Sequence, residues 1–139
     1  MNPTLSVILV TYNTRELLAR CLEALPAALA GVSYEVWVVD NGSADDTVRW
    51  LQAQHPEVQV LGNATNRGFA AACNQAMARA RGRYLLLLNT DTIPLPDALT
   101  ALVRYLEAHP EVGIAGGALL NPDGSPQGGA ADFPTLWTE

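Results

Sequence analysis

Short apolar runs alternate with amphipathic stretches along almost the whole chain, and that alternation leaves few folds open. Leu5–Val10, Val36–Val39, Val58–Leu61 and Tyr84–Leu88 are rich in Val, Ile and Leu, the pattern of strands buried on both faces. Between them the period becomes helical. Glu16 to about Ala28 carries Leu17, Leu18, Cys21, Leu22 and Leu25 on one stripe. Ser43 reads as the cap of a second helix, with Asp46 in capping-box position and Val48 and Leu51 turned inward. Gly68 precedes an Ala-rich helix over Phe69–Ala80, with Phe69, Cys73, Ala76 and Met77 inward. Pro96 suits the first turn of a last helix running to about His109, with Leu99, Leu102, Val103 and Leu106 inside.

Val112–Ala118 reads as a fifth strand, and Leu119–Gln127 as a hairpin around Pro122-Asp123-Gly124. His-Pro-Glu-Val occurs at 55–58 and again at 109–112. A histidine at a helix C-terminus favours the dipole and the following proline prevents continuation, so both read as helix stops rather than a metal pair. The repeat of strand then helix predicts an α/β fold with a mostly parallel sheet flanked by helices.

Composition narrows the functional classes. The 139 residues suit one domain, and their hydrophobic content of 49% is enough to build a core. Net charge is −6 and all eight basic residues are Arg, with no basic stripe, which argues against nucleic acid as a partner. Met1-Asn2-Pro3-Thr4 lacks a basic start, and Leu5–Val10 is too short for the apolar part of a secretion signal. No stretch approaches the roughly 20 apolar residues of a membrane span. Cys21 and Cys73 fall on apolar helix faces and are expected to be buried thiols, not a disulfide or a metal pair.

Two strands end in aspartate-bearing polar turns, Asp40-Asn41-Gly42-Ser43 and Asn89-Thr90-Asp91-Thr92. In an open parallel sheet, ligands bind at the carboxyl ends of the strands. Asp40 can accept hydrogen bonds from a base or a ribose there, or serve as a turn and capping acid. Asn66-Arg67-Gly68-Phe69 precedes a helix; it is either an ordinary loop or an anion contact, with Arg67 placed for a diphosphate. Asn89–Thr92 is either a turn between strand and helix or a metal site; Asp91 follows four leucines and is favoured as a ligand to a hard divalent cation, with Asn89 projecting to the same side of the extended chain. The first strand is followed by Thr11-Tyr12-Asn13, neither a dinucleotide fingerprint nor a phosphate loop.

Together these segments resemble glycosyltransferase family 2, the nucleotide-sugar transferases of GT-A fold. The matching residues are Ser6–Asn13, Val38–Ser43 with Asp46-Thr47, Asn66–Phe69 with Asn74, and Leu87–Asp91. Gly113–Gly116 and Leu120–Ser125 look like its rhamnosyltransferase-like branch. The resemblance implies that Thr11 and Tyr12 border the base and that Asp40 binds base or ribose. It also implies that Asn66 and Arg67 lie along the donor, with Asn13, Asn41, Gly42, Ser43, Gly68, Asn74, Asn89 and Thr90 completing the donor site. Asp91 would hold Mg²⁺ or Mn²⁺ against the diphosphate, as the last residue of the family's Asp-x-Asp motif, whose first acid is Asn89 here.

By the same resemblance, transfer inverts the anomeric centre, and a carboxylate base deprotonates the acceptor hydroxyl. That base and the acceptor-binding part are expected beyond Glu139, since Asp123 falls in a hairpin turn and Asp132 near the end of the chain. Residues 1–139 are thus expected to be the nucleotide-sugar-binding part of the domain and inactive alone. Partners would be a nucleoside-diphosphate sugar and a glycan or lipid-linked acceptor in polysaccharide assembly, in the cytoplasm or at the inner face of the membrane. Self-association through uncovered apolar surface is a further expectation. The alternatives are a non-catalytic nucleotide-binding or assembly module, and a sugar nucleotidyltransferase, which would require a Gly-rich basic loop after the first strand.

Overall fold

A computed structural model describes residues 2–128. Four strands, β1 (Leu5–Thr11), β2 (Tyr34–Asp40), β3 (Gln59–Gly62) and β4 (Tyr84–Asn89), form a sheet in the order β3-β2-β1-β4. Every pair in it is parallel. The strands alternate with helices α1 (Arg15–Ala28), α2 (Thr47–Gln54), α3 (Phe69–Met77) and α4 (Ala98–Ala108). This is the α/β arrangement that the alternation predicts.

Alternating side chains divide the core between the two faces of the sheet. Leu5, Val7 and Leu9 of β1, with Val36, Val38 and Leu88, pack against Leu18, Cys21, Leu22 and Leu25 of α1, Leu51 of α2, and Leu99 and Val103 of α4. Each such leucine contributes about 1.5–3 kcal/mol by leaving water. On the other face Ile8 and Val39 meet Ala72, Cys73 and Ala76 of α3, small side chains that let the helix lie close. Thr100 of α4 donates its hydroxyl to the carbonyls of Ala28 (3.2 Å) and Ala30 (3.3 Å), closing the end of α1.

The strand order locates the ligand crevice. The chain builds β1, β2 and β3 in one direction and then returns to place β4 on the other side of β1. Loops leaving β1 and β4 therefore part at their carboxyl ends, the switch point at which such sheets bind ligands.

Three local expectations are corrected. Val112–Ala118 forms no strand; Gly113, Gly116 and Gly117 weaken an extended run, and no described residue pairs with it. The outer edge of β4 accordingly has no partner among the described residues, and Leu85 and Leu87 on its α3 side are 47% and 48% exposed. The hairpin beyond does form, between β5 (Leu119–Leu120) and β6 (Pro126–Gln127). Second, α2 begins at Thr47, not just after Ser43, because the Ser43 hydroxyl accepts a bond from the Asn13 N–H at 2.9 Å instead of capping a helix. Third, α3 ends at Met77 and Phe69 is 50% exposed, the buried stripe starting one turn later at Ala72. His55 and His109 occupy the C-cap positions of α2 and α4, and both cysteines are buried and free.

Candidate donor site at the strand ends

The loop after β1 is fastened to the loop after β2 by a single residue. Asn13 holds a left-handed backbone (φ 54°), its N–H donates to Ser43 Oγ, and its Oδ1 accepts the Ala44 N–H at 2.8 Å. Those bonds offset the strain of a non-glycine in that region. Tyr12 is left exposed, while Thr11 is buried, its hydroxyl 3.0 Å from that of Thr14. Thr14 in turn lies 3.4 Å from the hydroxyl of Thr90, so a row of hydroxyls joins the β1 loop to the β4 loop.

Asp40 ends β2 and is only 3% exposed. Its Oδ2 accepts the N–H groups of Gly42 (3.3 Å) and Ser43 (3.1 Å). Its Oδ1 is buried and has no hydrogen-bond partner among the described residues. A turn needs the first oxygen only; the second is left over for something else. Gly42 is required beside it, with φ 87° and a position where a Cβ would stand 3.1 Å from the Thr65 backbone.

The segment Asn66-Arg67-Gly68 runs along the same edge and is exposed. Gly68, at φ 83°, turns the chain into α3. The Arg67 guanidinium forms no ion pair among the described residues, unlike Arg15 with Asp46 and Arg81 with Glu35. Asn41, at 2% exposed, lies beneath this segment rather than on its surface. Asn74 is on the exposed side of α3.

Asp91 and Asn89 leave β4 on the other side of the crevice, both exposed. The Asn89 carbonyl accepts the Thr92 N–H at 3.1 Å and the Cys21 thiol lies 3.9 Å from it. Burial, helped by the charge of Asp91, raises the Cys21 thiol to about 11, so it is a neutral, inert side chain. No cluster of three or more His, Cys, Asp or Glu residues suited to a metal occurs among the described residues. Asn89–Thr92 closes as a turn, so the extended chain that would set Asn89 and Asp91 on one side ends at Asn89; the single exposed carboxylate of Asp91 fits Mg²⁺ or Mn²⁺ that takes its other ligands from phosphate and water. It does not fit a structural metal.

A cleft of about 420 Å³ opens beside this edge, lined by Asn13, Thr14, Arg15, Glu16, Leu17, Asp45 and Asp46. Three acids line it and its arginine is engaged bidentately by Asp46 at 2.9 Å, so it repels a phosphate. Two residues near the strand ends carry no site motif in the sequence: Asn63 and Gln75, whose side chains bond each other and, through Asn63, the Asn41 side chain that holds the Asn66 segment. Their signal was only that Asn63 follows a strand and Gln75 adjoins the motif residue Asn74.

Comparison with known proteins fits this geometry. The sequence model described as "Glycosyl transferase family 2" matches residues 6–137. An N-acetylglucosaminyl-diphospho-decaprenol L-rhamnosyltransferase of Mycobacterium tuberculosis is 28% identical, over 98% of this chain and 48% of its own length. The mannosyltransferase PcManGT of Pyrobaculum calidifontis, solved with GDP-Man and Mn²⁺, superposes with a TM-score of 0.66 at 30% identity, covering 76% of this chain and 33% of that one. TarS 1-349 of S. aureus, solved with UDP-GlcNAc, gives 0.66 at 26% identity, covering 78% of this chain and 32% of that one. The chain spans 14% to 49% of the length of the curated relatives it matches. With the family's sequence pattern running through nearly all of it and its sheet laid out as in these GT-A enzymes, the chain belongs to glycosyltransferase family 2.

Proposed function

We propose that this chain is the donor-binding part of an inverting glycosyltransferase. It would take a hexosyl or rhamnosyl group from a nucleoside-diphosphate sugar for a glycan or lipid-linked acceptor. The observation that carries the reading is the buried Oδ1 of Asp40, unpartnered among the described residues, beside the switch-point crevice. A buried acceptor left unpaired costs about 1–3 kcal/mol, more when charged, and a base N–H or ribose hydroxyl satisfies it. Tyr12 is exposed to border that base, and the unpaired Arg67 supplies positive charge to a diphosphate.

Asp91, with Asn89, would hold Mg²⁺ or Mn²⁺. The bound cation supplies electrostatic stabilisation of the charge that grows on the departing diphosphate. The chain's own residues bind and orient: Asp40 fixes the nucleoside, Arg67 the diphosphate. In this reading the carboxylate that takes the acceptor's proton belongs to a segment beyond Glu139, as the greater length of the relatives supports. Asp123 is committed to the hairpin turn, accepting the Ser125 N–H at 2.9 Å. Asp132 lies outside the described residues. The 139 residues would then bind donor without transferring it.

On the same reading the protein would work in polysaccharide assembly, in the cytoplasm or at the inner face of the membrane. No described helix is long and apolar enough to cross a membrane. Self-association would use the uncovered face around Leu85 and Leu87; light scattering that gives a strictly monomeric mass at high concentration would remove that part. The donor reading is tested by calorimetry with UDP, dTDP and GDP, each with and without Mn²⁺. Binding of at least one, tighter with the metal and losing that dependence in Asp91→Ala, is expected. Binding of none would defeat it, and metal-independent binding equal in both proteins would defeat the metal assignment.

A further inference from the structure

The Asn66-Arg67-Gly68 segment is exposed along its length, yet it is held by a chain of side-chain amides. Asn41 directly follows Asp40, and its N–H continues the ladder onto the Thr11 carbonyl at 2.8 Å. Its Nδ2 donates to Asn66 Oδ1 (3.0 Å) and to the Gly68 carbonyl (3.3 Å). Its Oδ1 accepts the Arg67 N–H (3.2 Å) and Asn63 Nδ2 (3.0 Å). An amide side chain has two donor hydrogens and two acceptor lone pairs, so Asn41 is saturated. Nothing of it remains for a ligand.

The chain continues behind Asn41. Asn63 Nδ2 also donates to Gln75 Oε1 at 2.8 Å, and Gln75 Nε2 returns a bond to Asn63 Oδ1 at 3.0 Å. The Asn63 N–H donates to the Asp40 carbonyl at 2.9 Å. One connected set thus joins α3, the end of β3, the end of β2 and the exposed segment. It meets Asp40 on one side and the Arg67 backbone on the other.

We infer that Asn41, Asn63 and Gln75 are positioning residues, which set Arg67 at a fixed place relative to Asp40 so that one diphosphate-linked nucleoside reaches both. The inference rests on the donor reading above but assigns a role to groups that touch no donor atom. Preorganisation of this kind improves affinity because the segment is ordered before the ligand arrives. Asn41 acts on the donor through Arg67, not by contact.

The test uses two variants: Asn41→Asp, which removes two donors at constant shape, and Gln75→Ala, which breaks the set from the helix side. Circular dichroism checks that each is folded. Hydrogen exchange in the ligand-free protein is expected to quicken about tenfold or more at the Arg67 and Gly68 amides, with the β1 amides unchanged. Affinity for whichever of UDP, dTDP or GDP binds with Mn²⁺ is expected to fall about tenfold in both variants. The fall should be absent when each is made in an Arg67→Ala background, because coupled residues are not additive. The exchanged pair Asn63→Gln with Gln75→Asn restores the amide contact and should recover affinity beyond Gln75→Ala. Unchanged affinity in Gln75→Ala despite quicker exchange, or a full additional loss in the Arg67→Ala background, overturns the inference and leaves the donor reading standing. If Arg67→Ala alone binds as the parent does, the assignment of Arg67 to the diphosphate falls first.

Discussion

Thr11 and Asp40 face each other across the last rung between β1 and β2, one with its hydroxyl satisfied within the protein and the other with a buried oxygen that no described residue answers. The same rung therefore holds a finished residue and an unfinished one. Neutralising the unfinished one should separate stability from binding. Asp40→Asn keeps an oxygen for the Gly42 and Ser43 N–H groups and removes a buried charge, so stability should hold or rise by up to about 1 kcal/mol. Nucleotide affinity should fall about tenfold or more. Thermal denaturation and calorimetry on the same sample check both, and a variant that loses stability and keeps affinity would refute the assignment.

Glu35 gives the protein an acid-sensitive joint at the other end of the sheet. Burial alone would push its carboxyl upward. The Arg81 N–H and the Ser6 hydroxyl, each 2.7 Å away, together with the charge of the Arg81 guanidinium, outweigh burial and hold it below the usual value of 4.5. A carboxyl depressed in the folded state adds stability above its unfolded pKa, and that stability disappears as pH falls through the folded value. Urea unfolding of the parent should thus weaken on acidification below about pH 4.5 more than that of Glu35→Gln. Parallel curves for the two proteins would show that Glu35 is not the group responsible.

Gly82 closes the same joint by its lack of a side chain. Its N–H donates to Ser6 Oγ at 2.8 Å, and a Cβ there would stand 2.4 Å from the Ser6 nitrogen. Backbone cannot yield as a flexible side chain does, so Gly82→Ala should cost about 1–3 kcal/mol or more in chemical denaturation. Gly113→Ala, where an added Cβ meets nothing within 4 Å, serves as the comparison and should change stability by less than about 0.5 kcal/mol.

Thr100 tests the packing of α4 on α1. Thr100→Val keeps the shape and removes the hydroxyl that serves the Ala28 and Ala30 carbonyls, one of the bonds being fully buried. A loss of about 1–2 kcal/mol in urea unfolding is expected.

What could be read from the sequence followed from whether the deciding interaction was local. The apolar runs at Leu5–Val10 and Tyr84–Leu88 announce strands by their high content of large aliphatic and aromatic residues. Val112–Ala118 interrupts its apolar residues with three glycines, and pairing with a neighbour decides its state. Ser43 departs from its local cap pattern for the same reason. Its hydroxyl serves Asn13, 30 residues away, and a local cap pattern cannot register such a partner. Asp40 and Asp91 were visible as acids at strand ends, while Asn63 and Gln75 became visible only through contacts 22 and 12 residues long.

The amide set that carries Arg67 contains no group that titrates. Its geometry stays the same from mildly acidic to alkaline solution and is little affected by salt, because neutral dipoles gain nothing from counterions. The pH and ionic-strength dependence of donor binding should consequently report on the ligand, its metal and the few charged side chains at the strand ends alone. A binding curve measured against pH becomes a readout of chemistry at the site, uncontaminated by movement of the segment that bears the arginine.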